Sequence, residues 1–225
     1  MPRAPRPPLR RPARRAPAPK PAEVGPALAM LQIADVPRGL RALDALAKEA
    51  PVTVLRAGTV QCGHWLVAFG GEVEATERSF DRARAAARGA VIDQVLLPDA
   101  EPRIAPAFRD AVVRWPAPGD TLGVVQSTSC PTLLAAVDGA LKGARVELVE
   151  LRIAEGLGGK ALATLWGEVH DVEAAIEIAC EKIARQVERG RVGPDAATTT
   201  VIPNADDEVR RAIGAGTRFF QEWRG

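Results

Sequence analysis

The sequence predicts an α+β fold in which one small unit, a four-stranded antiparallel sheet with two helices, occurs twice in tandem. Two observations carry this. The first is an internal repeat. Leu40, Ala42, Asp44, Lys48, Ala50 and Val52 return as Leu134, Ala136, Asp138, Lys142, Ala144 and Val146, a constant offset of 94 residues. Further on, Gly63, Gly71, Glu72 and Val73 return as Gly159, Gly167, Glu168 and Val169 at an offset of 96, so the second copy has gained two residues between the blocks. The second observation is hydrophobic periodicity, which reads β-α-β-β-α-β in each copy. The length of 225 residues suits two domains of about 100 residues each.

The elements follow in order. The apolar run 27–36 (ALAMLQIADV) predicts a strand that ends before Pro37. Residues 37–50 place Leu40, Leu43, Ala47 and Ala50 on one face, which predicts a helix with Pro37 in its first turn. A second strand covers 52–57, a loop 58–64, and a third strand 65–70. A charged amphipathic helix spans 73–88, and a fourth strand, 91–97, is closed by Pro98. The second copy predicts a strand at 121–128, a helix at 131–143 and strands at 146–153 and 161–166 around the glycine-rich loop 154–160. A helix at 169–186 and a strand at 198–202, closed by Pro203, complete it. This order is the split-βαβ, ferredoxin-like arrangement. The domain reading is a tail at 1–25, a first domain with its linker at 26–115, a second domain at 120–205 and a helical extension at 206–225 carrying Phe219, Phe220 and Trp223. The stretch 100–119, rich in Pro and charge, reads as the linker.

Charge is unevenly spread. Residues 1–22 hold six Arg, one Lys, eight Pro and no acid, while the remaining 23 basic and 28 acidic residues leave the body at −5. With Leu9 its one large apolar residue past Met1, this tail predicts polyproline character rather than a core. It is expected to tether an acidic cargo protein or nucleic acid, or else to serve as a solubilising extension. No apolar run is long enough to span a bilayer, and three scattered cysteines suit a reducing cytosol.

In sequence order the motifs are a strand, a DxxxK helix, a V-x-L-V strand, a GxGGK loop, a strand, G-[DE]-V, a helix and V-I-P. This series resembles the bacterial microcompartment shell domain, and two copies in one chain resemble the tandem-domain (BMC-T) shell proteins. The stretches 149–173 and 59–72 are most similar to the propanediol-utilisation type, and both copies start at the first strand, so they read as unpermuted. The resemblance implies a homotrimer shaped as a pseudohexamer with a central pore. It implies hexameric and pentameric shell proteins as partners and a place in a cytoplasmic microcompartment shell.

It also implies site residues. The pore-lining candidates are Val60, Gln61, Cys62 and Gly63 from the first copy and Leu157, Gly158 and Gly159 from the second. The edge between neighbouring tiles maps to Lys48 and Lys142, with Asn204 standing where the family usually has Arg after V-I-P, and Asp99 after Pro98 in the first copy. Read without the resemblance, these lysines are helix C-terminal cations favoured by the dipole. In the propanediol-type relatives a cysteine of this loop from each of three subunits holds a [4Fe–4S] cluster. Cys62 lies one position later than that pattern and is the candidate metal ligand here; the rival reading is a free pore thiol.

No catalytic set emerges. The GLGGK segment lacks the first glycine and the Ser/Thr of a phosphate loop, since Ala154 and Ala161 stand there, and it leads into a strand. Cys180 is expected in the core beside Ile176 and Ile183, and Cys130 is expected buried at the end of a strand. His64 flanks the pore loop, His170 opens a helix, and Trp65 and Trp166 take nearly equivalent strand positions. The sequence therefore predicts a structural shell tile rather than an enzyme. The alternative is a trimeric ferredoxin-like ligand-binding or regulatory protein that forms no shell; a thiol enzyme using Cys62 would need a base, and only His64 is local.

Overall fold

A computed structural model describes residues 24–110, 114–115, 117–154 and 156–218. The basic tail and the cluster Phe219, Phe220 and Trp223 lie outside the described residues. The first copy runs β1 (Ala27–Ile33), α1 (Val36–Glu49), β2 (Thr53–Thr59), β3 (Trp65–Gly71), α2 (Val73–Ala86) and β4 (Val91–Leu97). After it comes α3 (Ile104–Asp110). The second copy runs β5 (Thr121–Ser127), α4 (Cys130–Gly143), β6 (Glu147–Ile153), β7 (Ala161–Gly167), α5 (Val169–Glu188) and β8 (Ala197–Ile202), followed by α6 (Asp207–Ala215). The sheets have strand orders β2-β3-β1-β4 and β6-β7-β5-β8, with every neighbouring pair antiparallel. This is the ferredoxin-like βαββαβ topology expected of each copy.

The copies agree in local detail because they share local chemistry. Ala27 pairs with Gly71 in the first sheet and Thr121 with Gly167 in the second. The edge strands carry a register shift at the same place, between Val54 and Arg56 and between Leu148 and Glu150. Asp35 caps α1 by accepting from the Arg38 N–H, and Ser129 caps α4 by accepting from the Thr132 N–H. Each helix has Pro in its first turn and Lys in its last.

Burial explains the composition of β1, all seven residues of which are buried. One face of the first sheet (Ala29, Leu31, Val67, Phe69) packs on α1 and α2 through Ala42, Leu46, Phe80 and Ala83. The other face (Leu28, Met30, Ala68, Val95) shares a core with Leu133, Val137 and Leu141 of α4 in the second copy. The strand is thus covered on both sides and reads as an apolar run broken only by Gln32. We call this junction of the first sheet with α4 the inner seam.

The second sheet has a different outer cover. Leu122, Val149 and Trp166 lie beneath Trp115 and Ile213 of the flanking segments. Trp115 meets Trp166 edge to face at 4.8 Å, and the Arg210 guanidinium lies 5.2 Å from the same ring. Glu150 accepts from the Thr217 N–H at 3.0 Å, and Arg152 donates to the Thr217 carbonyl, which ties the chain beyond α6 to β6.

Three expectations change. The stretch read as a linker carries α3, whose Ile104 and Ala107 enter the shared core, so apolar spacing outweighs its Pro content. Trp65 opens β3, whereas Trp166 is the sixth residue of β7; the two face opposite sides of their sheets, Trp65 toward α1 and Trp166 toward the outer cover. Cys180 is exposed, not in the core. The buried stripe of α5 is Val172, Ala175, Ile176, Ala179 and Ile183, and Cys180 sits at its rim, 3.9 Å from the Thr199 hydroxyl. Cys130 is buried as expected, but as the first residue of α4.

Candidate functional site

The two loops singled out in the sequence meet across the inner seam. In the first, residues Gln61–Gly63 form a single 3₁₀ turn in which Cys62 takes φ 68° and Gly63 φ 75°. Holding a non-glycine residue there costs about 1 kcal/mol or more and fixes the direction of its side chain. Both hairpins close in the same way, Val60 N–H to His64 carbonyl at 2.8 Å and Ala154 N–H to Lys160 carbonyl at 3.0 Å. The two added residues of the second copy lie between those closing bonds. Gly156, Gly158 and Gly159 absorb them at positive φ.

The loops touch through polar atoms. The Gly158 N–H donates to the Gln61 side-chain carbonyl, and the Cys62 thiol points at the Gly158 carbonyl at 3.9 Å. The buried Cys130 thiol lies 3.6 Å from the Gly159 carbonyl. Burial and the nearby Asp93 carboxylate push that thiol up to about 12, so Cys130 stays protonated. Gln61, Cys62, Gly63 and Gly158 are exposed, Val60 and Leu157 half-buried and Gly159 buried.

Beneath the loops, first-copy side chains hold the N-terminus of α4. Asp93, 2% exposed, accepts from the Ser129 hydroxyl, from the Thr132 N–H at 3.1 Å and from the Thr132 hydroxyl at 2.6 Å; its second oxygen accepts from the Gln94 N–H at 2.7 Å. Gln32 accepts from the Cys130 N–H at 3.4 Å and lies 3.2 Å from the His64 ring. A carboxylate at a helix N-terminus is favoured by the exposed N–H groups and the dipole, more so when buried. The other end of α4 is held by Arg103, which donates to the Leu141 carbonyl at 3.1 Å and the Val146 carbonyl at 2.7 Å while pairing with Glu101 at 2.7 Å.

The lysines differ. Lys48 is exposed and, among the described residues, pairs with Asp44 of its own helix at 2.8 Å. Lys142 pairs with Asp138 at 2.9 Å and also donates to the Asp99 carbonyl, while Asp138 accepts from the Glu101 N–H at 2.8 Å. Lys142 therefore sits at the seam, where the first sheet's last strand meets α4. Asn204 occupies an exposed turn at φ 47°.

The helices α1 and α4 differ in the same sense. Each has 14 residues, but ten are buried in α4 and three in α1. Leu134 is 0% exposed, whereas its equivalent Leu40 is 50% exposed. The face that α4 buries in the inner seam is bare on α1.

These features match known proteins. The BMC domain family matches residues 27–100 and 121–205. This chain belongs to the BMC-domain family of bacterial microcompartment shell proteins. It carries that domain twice. The bacterial microcompartment shell protein PduT of Citrobacter freundii is 30% identical over 192 residues, which is 84% of this chain and 98% of the relative. The carboxysome shell protein CcmK3 of a Synechocystis species is 30% identical over 88 residues, covering 39% of this chain and 80% of the relative. A solved microcompartment protein from Desulfitobacterium hafniense superposes with a TM-score of 0.69 at 31% identity, covering 82% of this chain and 98% of that one. A fused permuted hexameric shell protein of the RMM microcompartment has a TM-score of 0.52 at 21% identity, over 70% and 81% of the two chains, and bears on the fold alone.

Sequence reasoning singled out the two loops that meet here but missed the polar residues of the seam. Asp93 is the one charged residue of the strand VIDQVLL, and Ser129 stands two residues before Pro131. A lone acid in such a strand is the signal, because carboxylates are almost never fully buried without partners. Among the described residues, no three His, Cys, Asp or Glu side chains of one chain gather as a metal site.

Proposed function

We propose that the protein is a homotrimeric, pseudohexagonal tile of a microcompartment shell, structural rather than catalytic, with the two kinds of loop ringing a central pore. The observation that carries this is the bare face of α1. Inside one chain, α4 completes its burial on the outer face of the first sheet. The equivalent α1 face, with Leu40 half exposed and Leu43 half-buried, has no such cover among the described residues. The equivalent strip of the second sheet, Val124, Gln126, Thr198 and Thr200, is half-buried or exposed. A second copy supplies each missing half. Such head-to-tail contacts close into a ring when the rotation per unit divides the circle, and the shell domain's six-fold arrangement makes that ring three chains.

The ring gathers three Gln61–Gly63 turns and three Gly156–Gly159 loops about one axis. Selectivity then rests on loop dipoles, the Gln61 amide and pore width. Cys62 is exposed and supplies one thiolate per chain, so three would bind three irons of a [4Fe–4S] cluster and leave the fourth open to another ligand. The contact of the Cys62 thiol with Gly158 favours a free thiol that braces the neighbouring loop. Anaerobic purification decides: iron and a visible chromophore lost in Cys62→Ser select the cluster, and colourless iron-free trimers select the brace. Lys48, Asn204 and the exposed side of Lys142, whose ammonium is otherwise held at the inner seam, face other tiles, including hexameric and pentameric shell proteins, and the basic tail at 1–22 recruits an acidic partner.

The test of the tile is mass and shape. Sedimentation of the wild-type chain gives three times 23.8 kDa, and electron microscopy gives flat sheets or discs. Leu40→Arg removes an apolar contact worth about 2 kcal/mol per seam and adds a charge there, so it yields monomers that keep the native circular dichroism. A wild-type chain that stays monomeric at micromolar concentration, or a Leu40→Arg chain that remains trimeric, refutes the proposal.

A further inference from the structure

The seam between chains can be read residue by residue from the seam inside the chain, and the two are not alike. Register fixes the equivalences. Gln32 pairs with Asp93 across β1 and β4, and Gln126 pairs with Thr198 across β5 and β8, so Gln126 corresponds to Gln32 and Thr198 to Asp93. On the helix side, Asp35 corresponds to Ser129 and Arg38 to Thr132, each the cap and the third helical residue of its helix. The inner seam therefore has its acid on the strand and hydroxyls on the helix. The face that α1 offers to another chain has its acid on the helix, and β8 offers a hydroxyl.

From this juxtaposition we infer that chains recognise one another through a swapped acid, Thr198 of one chain meeting the Asp35 cap of the next, with Gln126 facing the first N–H of α1. The inference rests on the trimer reading and specifies its contact. Its chemistry is balanced. Asp35 already accepts from the Arg38 N–H at 2.9 Å and pairs with the Arg38 guanidinium at 2.5 Å, which leaves carboxylate lone pairs for a hydroxyl donor. Thr198 is exposed on the edge strand β8. Gln32 shows the role Gln126 would take, since its side-chain carbonyl accepts from the Cys130 N–H at the start of α4.

The swap also sorts partners. If the first sheet received α1 of another chain in place of its own α4, Asp93 would be buried against Asp35. Two carboxylates in one site disfavour ionisation of both, and Arg38 is already committed to one of them. If the second sheet received α4, Thr198 would meet Ser129 and Thr132 with no acid present. Only alternation of first and second domains gives every seam one acid. The surface therefore fits a second copy of this chain in head-to-tail order, and it rejects pairing of like domains.

The experiment transplants one seam onto the other in the full chain and reads trimer dissociation by sedimentation. Thr198→Asp places a second carboxylate against Asp35 and should weaken the trimer at least tenfold, most at low salt. Adding Asp35→Ser and Arg38→Thr rebuilds the Asp93, Ser129 and Thr132 set at the outer seam. That triple variant should return to within about threefold of wild type. Ser is as good a cap as Asp, and Thr198 and Arg38 are exposed, so the fold is expected to hold; thermal melts of each variant check it. A Thr198→Asp trimer as tight as wild type overturns the inference, as does a triple variant no tighter than Thr198→Asp. A monomeric wild type would overturn the trimer reading itself, and the inference with it, whereas a stable wild-type trimer indifferent to these changes overturns the swapped acid alone.

Discussion

Asp93→Ala tests whether the two domains of one chain are fastened where the structure places the fastening. The carboxylate is 2% exposed and accepts four hydrogen bonds, three of them from the N-terminal turn of α4. A hydrogen bond to a charged acceptor contributes about 1.5–3 kcal/mol, and a charge at a partly buried helix end up to about 2 kcal/mol. These terms do not add fully, because the Ser129 and Thr132 hydroxyls can turn toward backbone carbonyls once the acid is gone. A net loss of about 4 kcal/mol follows, which lies in the range of about 3–5 kcal/mol for breaking a buried polar pair. For a chain of this size that lowers Tm by about 8–16 °C. Asp93→Asn keeps the shape but turns one acceptor into a donor facing other donors, so it should cost about 2 kcal/mol or more. Asp99→Ala is the control, since Asp99 is exposed and contributes its backbone carbonyl, and it should stay within about 0.5 kcal/mol of wild type. Urea unfolding followed by tryptophan fluorescence reads all three, at one fixed chain concentration because association adds to apparent stability. An Asp93→Ala protein within about 1 kcal/mol of wild type would show that the α4 cap does not hold the domains together.

Thiol reactivity should divide the cysteines. Cys62 and Cys180 react with a disulfide reagent at pH 8 in the native protein, whereas Cys130, shifted from 9.0 to about 12, offers about a thousandfold less thiolate and reacts only on unfolding. Because the folded state keeps that proton, its contribution to stability is complete below pH 9.0 and is lost as pH rises toward about 12; Cys130→Ala should flatten this alkaline decline. Arg103→Ala strips two carbonyls at the end of α4 of their donor and should cost about 2 kcal/mol in urea unfolding. The hydrogen bond from Arg103 also holds the Glu101 carboxyl below its ordinary 4.5, so the wild type loses stability as pH falls below that value and Arg103→Ala should lose less there.

The repeat made the fold legible. Once the offsets of 94 and 96 were fixed, the boundaries of β4, α4 and β7 followed to within a residue, because strands and helices of one domain share caps and register. Loop chemistry was legible for the same reason, since the glycines at 156, 158 and 159 mark backbone that only such residues adopt easily. The sequence hid what depends on a second layer. Trp65 and Trp166 resemble each other in position until the register shows that one lies over α1 and the other under the C-terminal extension. Cys180 follows the helical period but falls at the rim of the buried stripe, where a local pattern does not decide exposure. The role of Asp93 is not local, because its partners are 36 and 39 residues away.

The divergence of α1 from α4 follows from what fusion does to two otherwise equivalent surfaces. In a ring of single domains, one sequence must serve every seam, and each seam must also remain soluble before the ring closes. Joining two domains removes that second demand from one seam of each pair. The inner seam is never exposed in a folded chain, so α4 can be Cys-Pro-Thr-Leu-Leu-Ala-Ala-Val, with Asp138 and Lys142 its only charges. In the proposed trimer the outer seam is bare until another chain arrives, and α1 carries Arg38, Arg41, Asp44, Lys48 and Glu49 among its apolar residues. Exposed apolar surface invites wrong partners, and interspersed charge limits it. Moving the acid from strand to helix belongs to the same division. Asp93 can be buried because its donors are covalently guaranteed, whereas Asp35 is partly exposed in the single chain and pairs with its own Arg38. On the proposed trimer, the hydropathy difference between two helices that otherwise align residue for residue records which seam is made by folding and which by association.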